Sequence, residues 1–125
     1  MKYSESLKKH KDFQHVYKKG SSYANKYLVM YVLENQTEGN RLGISVSKKV
    51  GNSVVRHRVT RLIRESYRLN ERSFRQGLDI VVVARPNAKD KSYQEIESAL
   101  MHLAGRMKIR REAELYVEES KKAEE

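Results

Sequence analysis

Cysteine is absent from these 125 residues, which excludes disulfides, thiolate metal sites and cysteine nucleophiles at once. That absence fits a reducing compartment. No apolar run approaches the roughly 18 residues needed to cross a bilayer, and the N-terminus is charged and polar, without a signal-like hydrophobic stretch. A soluble, cytoplasmic protein is the expectation. The arginine-rich segment described below also lacks the bulky exposed aromatics of an interfacial helix, which argues against a membrane surface. His10, His15 and His102 show no H-x-x-x-H spacing, and Asp12, Asp79 and Asp90 stand apart in sequence. A protein nuclease working through two metal ions needs clustered carboxylates, and none is visible. The phosphate-cradling pattern G-x-x-x-x-G-K-[S/T] is missing too, so neither nucleotide hydrolysis nor another small-molecule substrate finds support.

What the chain has is positive charge. Lys and Arg number 26 against 16 Asp and Glu, a net of +10 with a pI near 9.8. Six of the acids, Glu112, Glu114, Glu118, Glu119, Glu124 and Glu125, lie in the last fourteen positions beside only Lys121 and Lys122. Residues 1–111 therefore carry 24 basic and 10 acidic side chains, a net of +14. An anionic partner relieves such self-repulsion, and for an Arg-rich surface the commonest is a phosphate backbone. One domain with one modest core suits the length.

Hydrophobic periodicity gives the order α-β-β-α-β-α, an α+β class with helices expected on one face of a small sheet. Phe13, Val16 and Tyr17 mark a helix between Lys8 and Lys19, stopped by Gly20-Ser21-Ser22. Period-two alternation from Tyr23 to Leu33 predicts one strand, with Ala24, Leu28, Met30 and Val32 on one side and Tyr23, Asn25, Tyr27, Val29 and Tyr31 on the other. Arg41–Ser47 is a second strand, with Leu42, Ile44 and Val46 opposing the small Gly43, Ser45 and Ser47. Asp79 to Ala84 is a nearly continuous apolar run, as in a strand covered on both faces, and Arg85-Pro86 ends it. Ser92 and Glu95 form a capping box ahead of Ile96, Leu100, Leu103 and Met107. The domain is placed at residues 1–108, with 109–125 a charged helical extension or disordered tail.

Between Lys48 and Arg75 nine basic residues face two acidic ones. Gly51-Asn52-Ser53 supplies a turn and cap, after which a helix runs to about Glu71. At about 100° per residue, His57, Arg58, Arg61, Arg64, Arg68 and Arg72 fall on one half. Val55, Val59, Leu62, Ser66 and Leu69 fall opposite, with Ile63 beside them. One face suits a core and the other a polyanion. A solvated charged face is the ordinary alternative, but so many like charges without acidic partners one turn away would repel one another. No carboxylate is placed to orient His57 for acid–base work, so a contact to the polyanion suits it better.

Several blocks resemble the protein component of bacterial ribonuclease P over about residues 5–105. They are Asp12-Phe13-Gln14-His15-Val16-Tyr17, the long run from Gly43 through Lys48-Lys49-Val50-Gly51-Asn52 to Arg56, and Asp79 to Pro86. That family usually shows Arg-Asn-Arg, a hydrophobic residue, Lys and Arg where this chain has Arg56-His57-Arg58-Val59-Thr60-Arg61. His57 and Thr60 are departures.

The resemblance implies a two-layer α/β sandwich like the second domain of ribosomal protein S5, with a left-handed β-α-β crossover that the usual handedness rule does not predict. A further short strand is possible within that plan. The resemblance also implies partners, the catalytic RNA subunit and precursor tRNA, and a role in removing the tRNA 5′ leader. A large RNA performs the hydrolysis with divalent ions, Mg2+ being expected for the holoenzyme and no cofactor for the protein alone. Lys48, Lys49, Asn52, Arg56, His57, Arg58, Arg61, Arg64 and Arg68 are then the residues facing the catalytic RNA.

Single-stranded RNA is held by aromatic platforms in a positive groove. Phe13, Tyr17, Tyr27 and Tyr31 are the candidate platforms for the leader, with Lys18, Lys26 and Arg85 as nearby charge. Phe13 and Tyr17 could instead pin the first helix to the sheet as core residues. A general RNA-binding or ribosomal-type domain, and a self-sufficient protein nuclease, are the competing functional readings. A DNA-reading helix-turn-helix is weaker, because a strand and loop precede the arginine helix.

Overall fold

The computed structural model describes residues 1–111. Its elements are β1 (Ser4–Ser6), α1 (His10–Lys19), β2 (Ser21–Ala24), β3 (Leu28–Glu34), β4 (Asn40–Ser45), α2 (Ser53–Leu69), β5 (Leu78–Ala84) and α3 (Tyr93–Arg106), with short 3-10 turns at Glu71–Ser73 and Pro86–Ala88. Five strands form one mixed sheet in the order β1-β4-β5-β3-β2. The parallel neighbours β4 and β5 are joined through α2, which makes a β-α-β unit, whereas β5, β3 and β2 pair antiparallel. The α+β class expected from the sequence is therefore the class observed.

The further short strand allowed by the resemblance is present as β1, which pairs with β4 through Ser4–Ser6, a stretch too short to show periodicity. Two local expectations change. The single strand expected from Tyr23 to Leu33 is a hairpin, broken by an Asx turn. Asn25 Oδ1 accepts the Tyr27 and Leu28 amides at 3.2 and 3.0 Å, and its Nδ2 donates to Ala99 O of α3 at 2.9 Å. Alternation running unbroken through the turn concealed it. The helices are also divided between the two faces, not gathered on one. On one side Leu28, Met30, Val32, Leu42, Ile80 and Val82 form the main core with α2 and α3, whereas on the other α1 covers Val81 with Val16 and Leu7.

Capping sets the helix starts. Asn52 Oδ1 accepts the Val55 amide at 3.0 Å, and the Ser92–Glu95 capping box is complete. The α2 wheel is rotated slightly from expectation: Tyr67 is fully buried against Phe74, while Leu69 is 57% exposed. Asp12 and Asp79, distant in sequence, converge on Arg41. Its guanidinium donates to Asp79 at 2.8 and 2.6 Å and lies 3.5 Å from Asp12, which clamps α1 over β4 and β5. Packing continues through Ile109, which is buried. The remainder of the acidic tail, 112–125, lies outside the described residues.

Candidate nucleic-acid interface

The sheet face under α1 can be followed in rows set by strand register. One row runs Gly43-Val81-Tyr31-Ser22 and is closed at its β4 end, where Gly43 and Val81 are buried. Gly43 is the bed of the Phe13 ring, since a Cβ there would lie 2.7 Å from it. Phe13 and Tyr17 are one turn apart on α1, with ring centroids 6.3 Å apart, and Tyr17 meets Tyr31 of β3 edge-on at 4.9 Å. All three rings are half-buried. They are thus both core and surface, pinning α1 while keeping part of each ring in solvent. The next row, Ser45-Val83-Val29-Ala24, is half-buried to exposed across its width. It forms a floor of small and aliphatic side chains beside the aromatic cluster.

The other aromatic candidate lies elsewhere. Tyr27 packs against the main core on the opposite side, with Lys91 Nζ 5.4 Å from its ring centroid. Tyr23 pairs across the hairpin with Met30, so it shares the main-core face and not that of Tyr31. The expectation that the tyrosines share one strand face is therefore corrected, because the turn at Asn25 reverses the chain between them. Lys26 lines a shallow groove with Asn25, Tyr27 and His102, and Arg85 Nη1 donates to Asn25 O at 2.8 Å. The structure thus brings Phe13, Tyr17 and Tyr31 together and groups Tyr27, Lys26 and Arg85 around the hairpin turn. Lys18, also exposed, is on α1 with the first group.

On α2, a helix of 17 residues, His57, Arg61, Arg64 and Arg68 fall at i, i+4, i+7 and i+11 and form one exposed stripe. Within the described residues Arg61 and Arg64 make no ion pair. Arg68 does, donating from Nε to Glu65 at 3.0 Å and again from Nη2, so the expected absence of acidic partners fails at that one position. Its hydrogen bonds hold the Glu65 carboxyl below its ordinary value. Arg58 sits beside the stripe and donates to Lys91 O at 2.8 Å, tying α2 to the loop before α3. Arg56 is half-buried on a cavity of about 280 Å³ with Ile44, Val46, Ser53, His57 and Thr60, and its Nε is buried without a hydrogen-bond partner among the described residues. Lys48 and Lys49 are exposed in the turn after β4, anchored by the buried Val50. Asn52 serves α2 as its cap.

The family model described as Ribonuclease P matches residues 1–108. The chain belongs to the ribonuclease P protein family. Its similarity to ribonuclease P protein components is 68% identity over 106 residues for that of Lachnoclostridium phytofermentans, covering 85% of this chain and 91% of that one. For Alkaliphilus metalliredigens it is 57%, covering 87% and 98%. The solved ribonuclease P protein of Staphylococcus aureus superposes with a TM-score of 0.79 at 41% identity, covering 85% and 97%. That of Thermotoga maritima gives 0.76 at 31%, covering 82% and 96%. Membership in the ribonuclease P protein family implies an RNA partner, which the α2 stripe is chemically suited to meet.

Sequence reasoning missed two parts of this surface. The floor Ser45-Val83-Val29-Ala24 exists only once register is known. Gly43 as a ring bed was hinted at by a glycine inside a strand, a common mark of close approach. Among the described residues no three His, Asp or Glu side chains group as a metal site. No described helix is long and apolar enough to cross a membrane.

Proposed function

We propose that this chain is the protein subunit of ribonuclease P that grips the catalytic RNA with α2 and its preceding loop, and holds the 5′ leader of precursor tRNA on the aromatic face. It thereby assists endonucleolytic removal of the leader. The observation that carries the reading is the exposed His57-Arg61-Arg64-Arg68 stripe, whose members Arg61 and Arg64 lack acidic partners among the described residues. Guanidinium groups at this spacing offer forked, permanently charged donors to successive phosphates. Lys48 and Lys49 extend the charge toward the helix N-terminus.

The aromatic face suits an unpaired strand. Each base stacked on a ring contributes about 1 to 3 kcal/mol without regard to sequence, and the small floor residues leave room beside Tyr17 and Tyr31. The protein's contribution is binding and orientation. Hydrolysis is assigned to the RNA subunit and its Mg2+.

Reconstitution tests this. The chain is mixed with a bacterial ribonuclease P RNA and precursor tRNA at low magnesium, and 5′-leader release is followed. Restored cleavage is expected. Absence of stimulation would favour a general RNA-binding or ribosomal-type module, and cleavage that survives ribonuclease treatment of the protein preparation would point to a self-sufficient nuclease.

A further inference from the structure

The hairpin turn that takes Tyr27 away from Phe13, Tyr17 and Tyr31 also forms one wall of a groove. That groove, of about 450 Å³, runs between Asn25, Lys26 and Tyr27 of the turn and Gln94, Ser98 and His102 of α3, which fall at i, i+4 and i+8 on one helix face. Sites for small molecules span about 300–1,000 Å³, so the groove is large enough for one nucleotide. Its walls are fixed in advance. Asn25 Oδ1 accepts the Tyr27 and Leu28 amides, while its Nδ2 lies 2.9 Å from Ala99 O and 3.3 Å from His102 Nδ1. Because Oδ1 is committed to two N–H donors, the group that faces His102 is the amide N–H. His102 Nδ1 is therefore the acceptor, and the ring proton is carried on Nε2. Arg85 holds the same turn from behind, its amide donating to Tyr27 O and its Nη1 to Asn25 O, both at 2.8 Å.

The lining calls for a ligand that is flat and anionic at once. Tyr27 is half-buried, and the small Ser98 and Ala99 leave open the space beside its ring. Cations surround that space. Lys26 is in the wall, Lys91 Nζ lies 5.4 Å from the Tyr27 ring centroid, and the Arg106 guanidinium lies 5.0 Å from that of Tyr23 on the adjoining strand. The nearby acids are engaged, Glu95 accepting from the Ser92 amide and hydroxyl and Asp90 lying 3.6 Å from Lys91. A nucleotide joins a planar ring to a phosphate and answers both features. Position then decides which RNA supplies it. Arg58 of α2 donates to Lys91 O at 2.8 Å, and Lys91 lies over Tyr27, so the arginine surface runs into the groove through a single residue. Phe13, Tyr17 and Tyr31 pack in the cluster on the opposite face of the sheet.

We propose that this groove is a nucleotide subsite for the catalytic RNA. It takes one unpaired nucleotide, with the base between Tyr27 and α3 and the phosphate toward Lys26 and Lys91. The His102 Nε2–H and the Gln94 amide meet the edge of the base. Tyr27, Lys26 and Arg85 thus serve assembly with the catalytic RNA and not the leader. The inference rests on the reading of the chain as the ribonuclease P subunit, and it adds a contact away from the α2 stripe.

The test uses the full chain, a bacterial ribonuclease P RNA and a leader oligonucleotide. Tyr27→Leu removes the ring and keeps apolar bulk, Ser98→Leu fills the groove from an exposed position on the other wall, and Ser98→Ala leaves it open. Tyr27→Leu and Ser98→Leu should each weaken binding of the catalytic RNA about fivefold to a hundredfold, the range of one lost base stack. Ser98→Ala should bind as the unaltered chain does, and leader affinity should stay the same in all three. Chemical probing of base accessibility should show an unpaired nucleotide of the catalytic RNA that the unaltered chain protects and Ser98→Leu releases. Unchanged affinity and protection with both leucine variants would overturn the subsite. Arg61→Ala in the same assay then separates the causes: if it still weakens assembly the subunit reading stands, and if it does not the two readings fall together. An equal loss with Ser98→Ala would reduce the groove to a packing feature. Lost leader affinity with intact assembly in Tyr27→Leu would overturn the assignment to the catalytic RNA.

Discussion

At Gly43 one hydrogen in place of a methyl group decides where an aromatic ring lies. A Cβ there would meet the Phe13 ring edge at 2.7 and 2.8 Å and Leu7 Cβ at 3.2 Å. The ring tip is the end of a side chain that is half in solvent, so it can yield where backbone could not. Gly43→Ala should therefore displace Phe13, weakening leader affinity by more than the ordinary overpacking cost of about 1–3 kcal/mol lowers stability. A leader-binding titration beside a thermal melt checks the ordering, and equal losses in both would show that the ring is only a core residue. Arg41 is the other decisive position. Burial alone would raise the Asp79 carboxyl, but the hydrogen bonds from Arg41 and Asn35 and the Arg41 charge outweigh it and hold the group below its ordinary value of 3.8. A depressed carboxylate stabilises the fold above its unfolded pKa, and that contribution is lost as pH falls through the lower folded value. Arg41→Ala leaves Asp79 buried with only Asn35 as a side-chain partner, so a loss of about 1–3 kcal/mol is expected at pH 7. The deficit should shrink as acid protonates Asp79 in the variant first. Denaturant melts from pH 7 to pH 3 give the comparison, and a constant deficit would mean that the clamp acts through packing alone.

Helix α2 shows what an element reveals before its neighbours are known. The Asn52 cap, the buried Val59 and Ile63 and the basic stripe are local, because periodicity and capping depend on residues within a turn or two. What the sequence could not show depends on the partner surface. Tyr67 turns inward because Phe74 and the Ser4 and Asn40 hydrogen bonds await it, and Leu69 is left outside. The hairpin at Asn25 was hidden for the opposite reason, since its alternation matched a single strand while the deciding bond, from Asn25 to Ala99, spans 74 residues. Neighbouring arginines on α2 should likewise behave differently. Arg58 holds Lys91 O, whereas Arg61 touches nothing acidic among the described residues. Arg61→Ala is expected to leave the melting temperature unchanged and to lower the log–log salt slope of RNA binding by about 0.7 to 0.9, one phosphate's worth. Arg58→Ala should lose melting temperature as well. An unchanged slope for Arg61→Ala would remove that residue from the interface.

In the whole molecule the sheet is a partition. Helix α1 and the Phe13-Tyr17-Tyr31 cluster occupy one face, α2 and α3 the other, and the two clusters share no buried residue. The parallel pair β4 and β5 contributes to both sides at once, with Val81 toward α1 and Ile80 and Val82 toward the main core. The proposed role, a subunit that bridges a catalytic RNA and its substrate, requires two surfaces that do not compete for a side chain, and two faces without a shared buried residue meet that requirement. Independence of this kind has a thermodynamic signature. Sites without shared partners add to within about 0.3–0.5 kcal/mol. Arg61→Ala should weaken assembly with the catalytic RNA while sparing leader affinity, and Tyr31→Ala or Phe13→Ala should do the reverse. The Arg61/Tyr31 double variant should show the sum of the two losses in precursor-tRNA cleavage at limiting protein. A coupling well above that range would mean that one RNA surface reaches around the sheet edge to contact both faces, so that the bound RNA and not the protein joins the sites. Equal losses by all single variants in both assays would abolish the distinction between the faces.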